Sequence, residues 1–339
     1  MTTGSHAGTT LDPARGPSVR EMTWLTSYAD VDDVFRSRDF EQGGGGRRDS
    51  EPFVGASLLA LSGNEHFERR RLEAPLFRRA ALRPLEASVV GPDWDRSFRA
   101  CTRSEGGIVR GELQQILRNT LCHLSASLAG IDGLDNPVAV ERFLGYMDRL
   151  SAGVNAEWAV TDHRAIIREG LLIKQKFAAE FFAPSRDRRA RLVARFEAGE
   201  ITRDALPQDL LTIMLLHPAH FGRWDDDLLV REVILFGGAP VSITVGLPHA
   251  VRDLATWFAA HPGDAGLAAD HEFLRQAITE SLRLRPASPY LIRRATADHL
   301  LPSGQIITAG TYVMLDLIRA GRDRGGRGNS DRSISGKSA

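Results

Sequence analysis

Residues 278–286 read ITESLRLRP, and this segment decides how the rest of the chain is interpreted. Glu280 and Arg283 stand three residues apart, so a helix would bring their carboxylate and guanidinium together on one side. Taken alone, the pair has an ordinary explanation, because helix surfaces carry many such pairs at little gain in stability. Its meaning depends on the motifs that lie before and after it in the chain.

Four further motifs accompany the pair in a fixed order. They are the basic segment GNEHFERRRLEAPLF (63–77), the long apolar segment 228–254 with its Gly237-Gly238 pair, RRATAD (293–298) and AGTYVMLDLIRAGRD (309–323). In the basic segment, His66 and Arg70 are four residues apart, so a helix places both on one face, where they can hold one anion. The alternative is a solvated basic face formed by Arg69, Arg70 and Arg71.

Apolar residues recur at three- and four-residue intervals over most of the chain, which predicts helices. The segments concerned are YADVDDVFRS (28–37), HFERRRLEAPLF (66–77), GELQQILRNTLCHLSASLAG (111–130), EGLLIKQKFAAEFFA (169–183) and DLLVREVILFGG (227–238). Strands are predicted at MTWLTSY (22–28) and in short β-branched runs between residues 289 and 317. The pattern predicts a mostly α fold with a small β-hairpin sheet, and a flexible loop at Gly43–Gly46.

In this order the five motifs resemble those of the cytochrome P450 family, the heme-thiolate monooxygenases, over roughly Trp24 to Asp323. The resemblance implies a cytochrome P450-like fold that is incomplete at both ends, with heme b as its cofactor. It also implies a small apolar substrate and, in an active enzyme, a ferredoxin-type or other redox partner.

The resemblance assigns roles to particular residues. His66, Arg70 and Arg293 match the cations that bind the heme propionates, and Phe77 matches the aromatic residue that closes the basic motif. The acid and arginine of ITESLRLRP match the buried structural ExxR pair. These roles agree with physical chemistry, because two carboxylates in an apolar cleft need fixed cationic donors.

The long apolar segment departs from the family at its centre. Aligning its glycine pair with the family's small-residue pair puts Pro240 and Val241 where the proton-relay acid and threonine stand, and neither can transfer a proton. Ser242 and Thr244 are nearby hydroxyls, but on a helix they point in other directions. Pro240 lacks an N–H and therefore predicts a kink, unless it is an accidental proline in a degenerate helix.

The proximal iron ligand is the second departure. No cysteine follows Asp323, where the family presents its thiolate, while Cys101 and Cys122 precede the apolar helix and fall on the wrong side of the motif order. The sequence therefore predicts no metal ligand, an abrupt truncation, and no catalysis by the chain as it stands, because the thiolate donor promotes O–O cleavage. The ExxR pair would also lack its usual third partner.

Composition narrows the classes of partner. Forty-three basic residues balance forty-three acidic ones, so no overall field draws in nucleic acid or an anionic membrane. The first twenty residues contain no apolar run suited to a signal or spanning helix, which predicts a cytoplasmic protein without a membrane segment. The polar ends predict disordered tails at 1–20 and 324–339 around a single domain at 21–323.

Two minor signals have ordinary explanations. His217 and His220 have a metal-like spacing, but Pro218 favours a turn and no third ligand accompanies them. Four aromatic residues lie where the resemblance implies helices that cover the substrate site: Trp158, Phe177, Phe181 and Phe182. They either line an apolar pocket or belong to the core, and the core is the more common place for aromatic residues at helical spacing.

Three interpretations of function stay open. The first is a cytochrome P450-type heme monooxygenase that hydroxylates a small apolar substrate, inactive in this chain because the thiolate is absent. The second is a heme-free, P450-like helper that binds and activates a partner enzyme such as a glycosyltransferase. The third is a product that folds poorly, because loss of a bound cofactor removes stability from the native state.

Overall fold

The structure is a computed structural model that describes residues 21–43, 49–156, 162–218 and 226–323. The side chains of residues 239–243 also lie outside the description. Several predictions fall on residues outside it: the tails 1–20 and 324–339, Trp158, His220 and the last three glycines of the Gly43–Gly46 loop.

Helices make up most of the described chain, as the periodicity predicts. They are α1 (Tyr28–Arg36), α2 (Glu51–Val54), α3 (Gly63–Glu73), α4 (Arg79–Leu85), α5 (Gly91–Cys101), α6 (Leu113–Ala129), α7 (Pro137–Val154), α8 (His163–Phe177), α9 (Ala183–Glu197), α10 (Leu210–Leu216), α11 (Asp226–Ala260), α12 (His271–Leu284) and α13 (Leu317–Arg322). Their ends follow local chemistry. The Ser27 side chain caps α1 by accepting a hydrogen bond from the Asp30 N–H, and Gly130 ends α6 with a φ of 86°.

The strands form one four-stranded sheet and two hairpins. They are β1 (Thr23–Leu25), β2 (Phe40–Gln42), β3 (Thr102–Glu105), β4 (Ile108–Gly111), β5 (Tyr290–Ala295), β6 (His299–Leu300), β7 (Ile306–Ile307) and β8 (Tyr312–Asp316). The sheet has the order β1-β8-β5-β2, with β1 parallel to β8 and the other pairs antiparallel. Its register sets Arg293 on β5 opposite Gln42 on β2.

Sequence reasoning missed three of these strands. β2 is only three residues long, and so short a segment cannot show an alternating apolar and polar pattern. β3 and β4 pair around Gly106-Gly107, whose φ values of 58° and 79° are those of a tight hairpin turn. That glycine pair was a usable signal, because consecutive positive φ angles favour glycine in hairpins.

The largest core cluster joins α6, α7, α8, α10 and α11. Phe143 of α7 lies at its centre, with the rings of Phe177 and Phe181 at 6.1 and 5.5 Å. Phe177, Phe181 and Phe182 are at most 3% exposed, so these aromatic residues belong to the core. Of the two interpretations that the sequence left open for them, the structure supports core packing.

A second cluster packs α1 and α13 against the four-stranded sheet and the β6–β7 hairpin. Val313, Met314 and Leu315 of β8 are each 0% exposed, because this strand lies inside the sheet. Across the described residues, no helix combines the length and apolar character needed to cross a membrane.

Candidate functional site

Helix α3 and strand β5 bring a histidine and two arginines together. His66 and Arg70 are one turn apart on α3, and Arg293 is added by β5. Burial, followed by the positive charges of Arg70 and Arg293, lowers the pKa of His66 below its ordinary value. We call His66, Arg70 and Arg293 the cation cluster. The family resemblance predicted that these three residues surround one ligand, a heme, and the binding of heme stays a prediction.

Arg293 is the most enclosed member of the cation cluster. Its Nη1 donates hydrogen bonds to Gln42 Oε1 at 2.7 Å and to the Ile292 carbonyl at 2.9 Å. Its guanidinium carbon lies 5.4 Å from the centre of the Phe35 ring. Burial lowers its pKa, and no carboxylate among the described residues forms an ion pair with it. The cation is therefore partly desolvated without a protein anion beside it.

An aromatic contact joins the end of the basic motif to α11. The rings of Phe77 and Phe236 are 5.6 Å apart and tilted by 37°. Phe77 is 52% exposed, whereas Phe236 is 9% exposed. The residue that closes the basic motif thus presents an apolar surface directly before the glycine pair of α11.

The glycine pair itself allows α7 to approach α11. A Cβ atom on Gly237 would lie 2.9 Å from Met147 Sδ, and one on Gly238 would lie 3.4 Å from Ser151 Oγ. Thr244 is 3% exposed and lines the same small cavity as Gly237 and Phe143. Gly237 and Thr244 therefore take part in helix packing.

Helix α11 is continuous from Asp226 to Ala260 and passes through Pro240. The side chains of Pro240, Val241 and Ser242 lie outside the description, so the predicted kink and the loss of the proton relay stay predictions. Because proline has no backbone N–H, a helix that continues through Pro240 lacks one of its backbone hydrogen bonds there.

The Glu280–Arg283 pair forms as predicted, but its environment differs. Arg283 Nε donates to Glu280 Oε2 at 2.6 Å, and Nη2 donates to the other carboxylate oxygen. The side chains of Arg283 and Glu280 are 33% and 42% exposed, so the expectation of a buried pair is wrong. The absence of the pair's usual third partner stays a prediction, although Arg283 Nη1 donates to the Gly321 carbonyl of α13.

The two cysteines of the chain differ in their surroundings. Cys122 is 3% exposed between α6, α7 and α11, and burial, with a further contribution from the Asp93 charge, raises its thiol pKa to about 12. Cys101 lies at the end of α5, with its sulfur 3.9 Å from Asn119 Nδ2. A thiolate is the form that binds metal, and the packing of Cys122 opposes it. The cation cluster thus suits the carboxylates of a heme, whereas the buried Cys122 does not suit its iron.

A buried charged group on α3 was not anticipated. Arg69, assigned in one interpretation to a solvated basic face, is 2% exposed and lies 3.1 Å from the carboxylate of Glu232 on α11. That interpretation is wrong for Arg69, whereas Arg70 and Arg71 are exposed. The available signal was Glu232 itself, the one acid between residues 228 and 252 in the apolar run of α11.

The sequence comparisons give little overlap. No protein-family model matches the chain. Among curated proteins, human cytochrome P450 4F12 is 41% identical over 46 residues, which is 14% of this chain and 9% of that protein. The match therefore covers far less than two thirds of the relative's length.

Solved structures match over almost the whole chain. CalO2 has a TM-score of 0.64 at 21% identity, over 95% of this chain and 74% of that one. P450BioI, in complex with an acyl carrier protein carrying hexadec-9Z-enoic acid, has a TM-score of 0.62 at 15% identity, over 89% and 72%. Cytochrome P450 CYP268A2 of Mycobacterium marinum, in complex with pseudoionone, has a TM-score of 0.64 at 19% identity, over 89% and 68%.

These matches define the class of fold. The chain has the cytochrome P450 fold, and it spans between 68% and 74% of the length of these three structures. The fold predicted from the motif order is thereby confirmed.

Proposed function

We propose that the cation cluster binds the two carboxylates of heme b and that the chain does not catalyse monooxygenation by itself. The observation that carries the proposal is the partly desolvated guanidinium of Arg293 close to His66 and Arg70. Carboxylates are the natural partners of such a group, because a charged hydrogen bond in a low-dielectric site is stronger than one in water.

Heme, when bound by a thiolate, supplies the oxygen chemistry of this class of enzyme. In this chain the proposal is limited to holding the porphyrin: Arg293 from the sheet and His66 with Arg70 from α3 would fix its carboxylates. Inactivity is supported by the buried, protonated state of Cys122. For the whole protein we propose a small apolar substrate and a ferredoxin-type redox partner. Pseudoionone and myristic acid, the ligands of two matching structures, are of that apolar kind.

The test is a porphyrin titration. Purified chain is titrated with metal-free protoporphyrin IX, with its dimethyl ester and with hemin, and binding is followed by fluorescence quenching or by the Soret band. The acid should bind and the ester should bind about tenfold or more weakly, since a charged hydrogen bond contributes about 1.5–3 kcal/mol.

The variants His66→Gln, Arg70→Gln and Arg293→Gln should each weaken binding of the acid by about tenfold or more. Arg71→Gln is the matched control, because Arg71 is an exposed arginine on the same helix. Equal binding of acid and ester would contradict the proposal. A ferrous–carbon monoxide spectrum with the red-shifted Soret band of thiolate ligation would contradict the proposed inactivity.

A heme-free helper protein is the second candidate, and the protonated, buried Cys122 favours it. Such a protein would activate a partner enzyme, for example a glycosyltransferase. Co-purification of one stoichiometric partner together with no porphyrin binding would support this function over heme binding. Stoichiometric porphyrin binding that depends on Arg293 would argue against it.

A further inference from the structure

Helix α3 carries a second row of charges that faces into the protein. Arg69 and Glu73 are four residues apart, so they lie one turn from each other on the buried side of the helix, next to the row of His66 and Arg70. Arg69 is 2% exposed, Glu73 is 1% exposed and Glu232 of α11 is 0% exposed. We call Arg69, Glu73 and Glu232 the buried triad.

Only one of the two carboxylates in the buried triad accepts hydrogen bonds from the described residues. Glu232 accepts hydrogen bonds from the Leu58 N–H at 3.0 and 3.2 Å, and from Arg69 Nη1 at 3.1 Å. Arg69 Nη1 also donates to the Ala56 carbonyl. Neither carboxylate oxygen of Glu73 has a hydrogen-bond partner among the described residues.

The charges of the buried triad do not balance if both acids are ionised. One guanidinium faces two carboxylates, and within the triad its hydrogen bond goes to Glu232. Burial and then the Glu232 charge raise the pKa of Glu73 to about 9, against the opposing fields of Arg69 and Arg70. Burial also raises the pKa of Glu232, to about 7, against the Leu58 N–H and Arg69. A buried acid without a donor is neutral at ordinary pH.

Arg70 connects the buried triad to the cation cluster. Its positive charge lowers the pKa of His66 on one side and opposes the rise in the pKa of Glu73 on the other. Ionised Glu73 would therefore reduce the positive potential that an anionic ligand meets at Arg70. It would also place two repelling carboxylates between α3 and α11, the helices that the triad joins.

We propose that Glu73 keeps its proton at neutral pH, and that release of this proton weakens the binding of a dicarboxylate ligand at the cation cluster. Glu73 is then a positioning residue that acts through Arg70 and through the placement of α3. The ligand in this inference rests on the proposed function, whereas the proton on Glu73 does not.

Two other described elements that pack against α3, helix α10 and the segment Ala74–Phe77, contain no titratable side chain. Helix α10 contributes apolar residues and Thr212, and the 3₁₀ segment Ala74–Phe77 contains no charged residue. Glu65 of α3 approaches Arg69 at 3.5 Å, but its side chain is 60% exposed. His66 titrates below its ordinary range, so it is neutral throughout the alkaline window in which Glu73 loses its proton.

The experiment measures the affinity for metal-free protoporphyrin IX between about pH 7 and about pH 9.5, the window in which a group with a pKa near 9 titrates. It compares the wild-type chain with Glu73→Gln and with Glu68→Gln, an exposed acid on the same helix that serves as the control. The wild type and the control should lose about fivefold or more in affinity across this window, within the usual range of coupling between sites. Glu73→Gln should bind with a flat profile.

A second readout tests the proton without a ligand. Infrared spectra at neutral pH should contain the carbonyl stretch of a protonated, buried carboxylic acid, and Glu73→Gln should lose this band. Since the folded chain holds the proton more tightly than the unfolded one, the free energy of unfolding should fall as the pH rises toward about 9. Glu73→Gln should remove that decline.

The outcomes separate the two proposals. Binding with the same pH slope in the wild type and in Glu73→Gln overturns the linkage and leaves the proposed function standing. Absence of porphyrin binding at every pH overturns the proposed function and the linkage together. Absence of the carboxylic acid band in the wild type overturns the protonation of Glu73, whatever the chain binds.

Discussion

The Phe53 ring fixes the position of α2 between two helices, and a single methyl group should displace it. Phe53 is 0% exposed. A Cβ atom on Gly170 of α8 would lie 2.7 Å from Phe53 Cζ, and a Cβ atom on Gly153 of α7 would lie 2.6 Å from the same atom. Carbon atoms make favourable contacts at about 3.5–4.0 Å, so Gly170→Ala forces the ring to move by about 1 Å.

Two opposing effects set the size of the change. Replacing glycine by alanine inside a helix ordinarily stabilises a protein by about 0.5–1 kcal/mol. Overpacking a closed core site costs about 1–3 kcal/mol. Gly170→Ala should therefore lower the free energy of unfolding by up to about 2.5 kcal/mol, taking the two effects together.

Gly145→Ala on α7 is the matched control. The nearest atom to a Cβ there is Arg149 Nη1 at 3.4 Å, the end of a flexible side chain. This variant should gain the ordinary helix stabilisation of about 0.5–1 kcal/mol. Urea denaturation followed by far-UV circular dichroism measures both variants on the same scale.

The ring contact is isolated by a double-mutant cycle with Phe53→Ala. That change alone should cost about 3–5 kcal/mol, and in its background Gly170→Ala should stabilise the chain, because the atom it would strike is gone. The packing argument is refuted if Gly170→Ala is as stable as Gly145→Ala. It is equally refuted if the effect of Gly170→Ala is unchanged when the ring is absent.

Two further predictions concern charged contacts. Hydrogen bonds to Asp33 and Asp39 raise the pKa of His299. The contribution of His299 to stability is therefore present below about pH 6.5 and is lost as the pH rises through the raised pKa. His299→Gln should remove this pH dependence from the free energy of unfolding, measured by denaturation at a series of pH values. Arg189 is 5% exposed and forms ion pairs with two aspartates. Arg189→Met should lower the free energy of unfolding, measured by urea denaturation, by about 3–5 kcal/mol. The control Arg188→Met changes a side chain that is 52% exposed, and it should lower this free energy by under about 1 kcal/mol.

The sequence predicted the helices well because their signals are local. In α1, the apolar period, the Ser27 cap and the acidic first turn all lie within ten residues of each other. The same holds for α6, which ends at a glycine with positive φ. Such agreement between neighbouring residues does not depend on the rest of the fold.

The buried triad could not be predicted in this way. Arg69 lies in a run of three arginines, and the one that turns inward is decided by the position of Glu232, 163 residues later in the chain. Nothing near Glu73 in the sequence indicates an acid without a donor. The half-exposed state of the Glu280–Arg283 pair was missed for a similar reason, since exposure depends on what packs over α12.

The two sets of charges on α3 differ in what neutralises them. Arg69 faces inward and meets Glu232 inside the fold, so the protein itself supplies its anion. Arg293 is partly desolvated, yet among the described residues its hydrogen bonds go only to an amide and a carbonyl oxygen, which carry no net charge. Desolvating a guanidinium without an anion is unfavourable, and the binding of a ligand carboxylate would offset that penalty. For this reason we expect a ligand to bind at the cation cluster, and we expect a protonated acid in the buried triad.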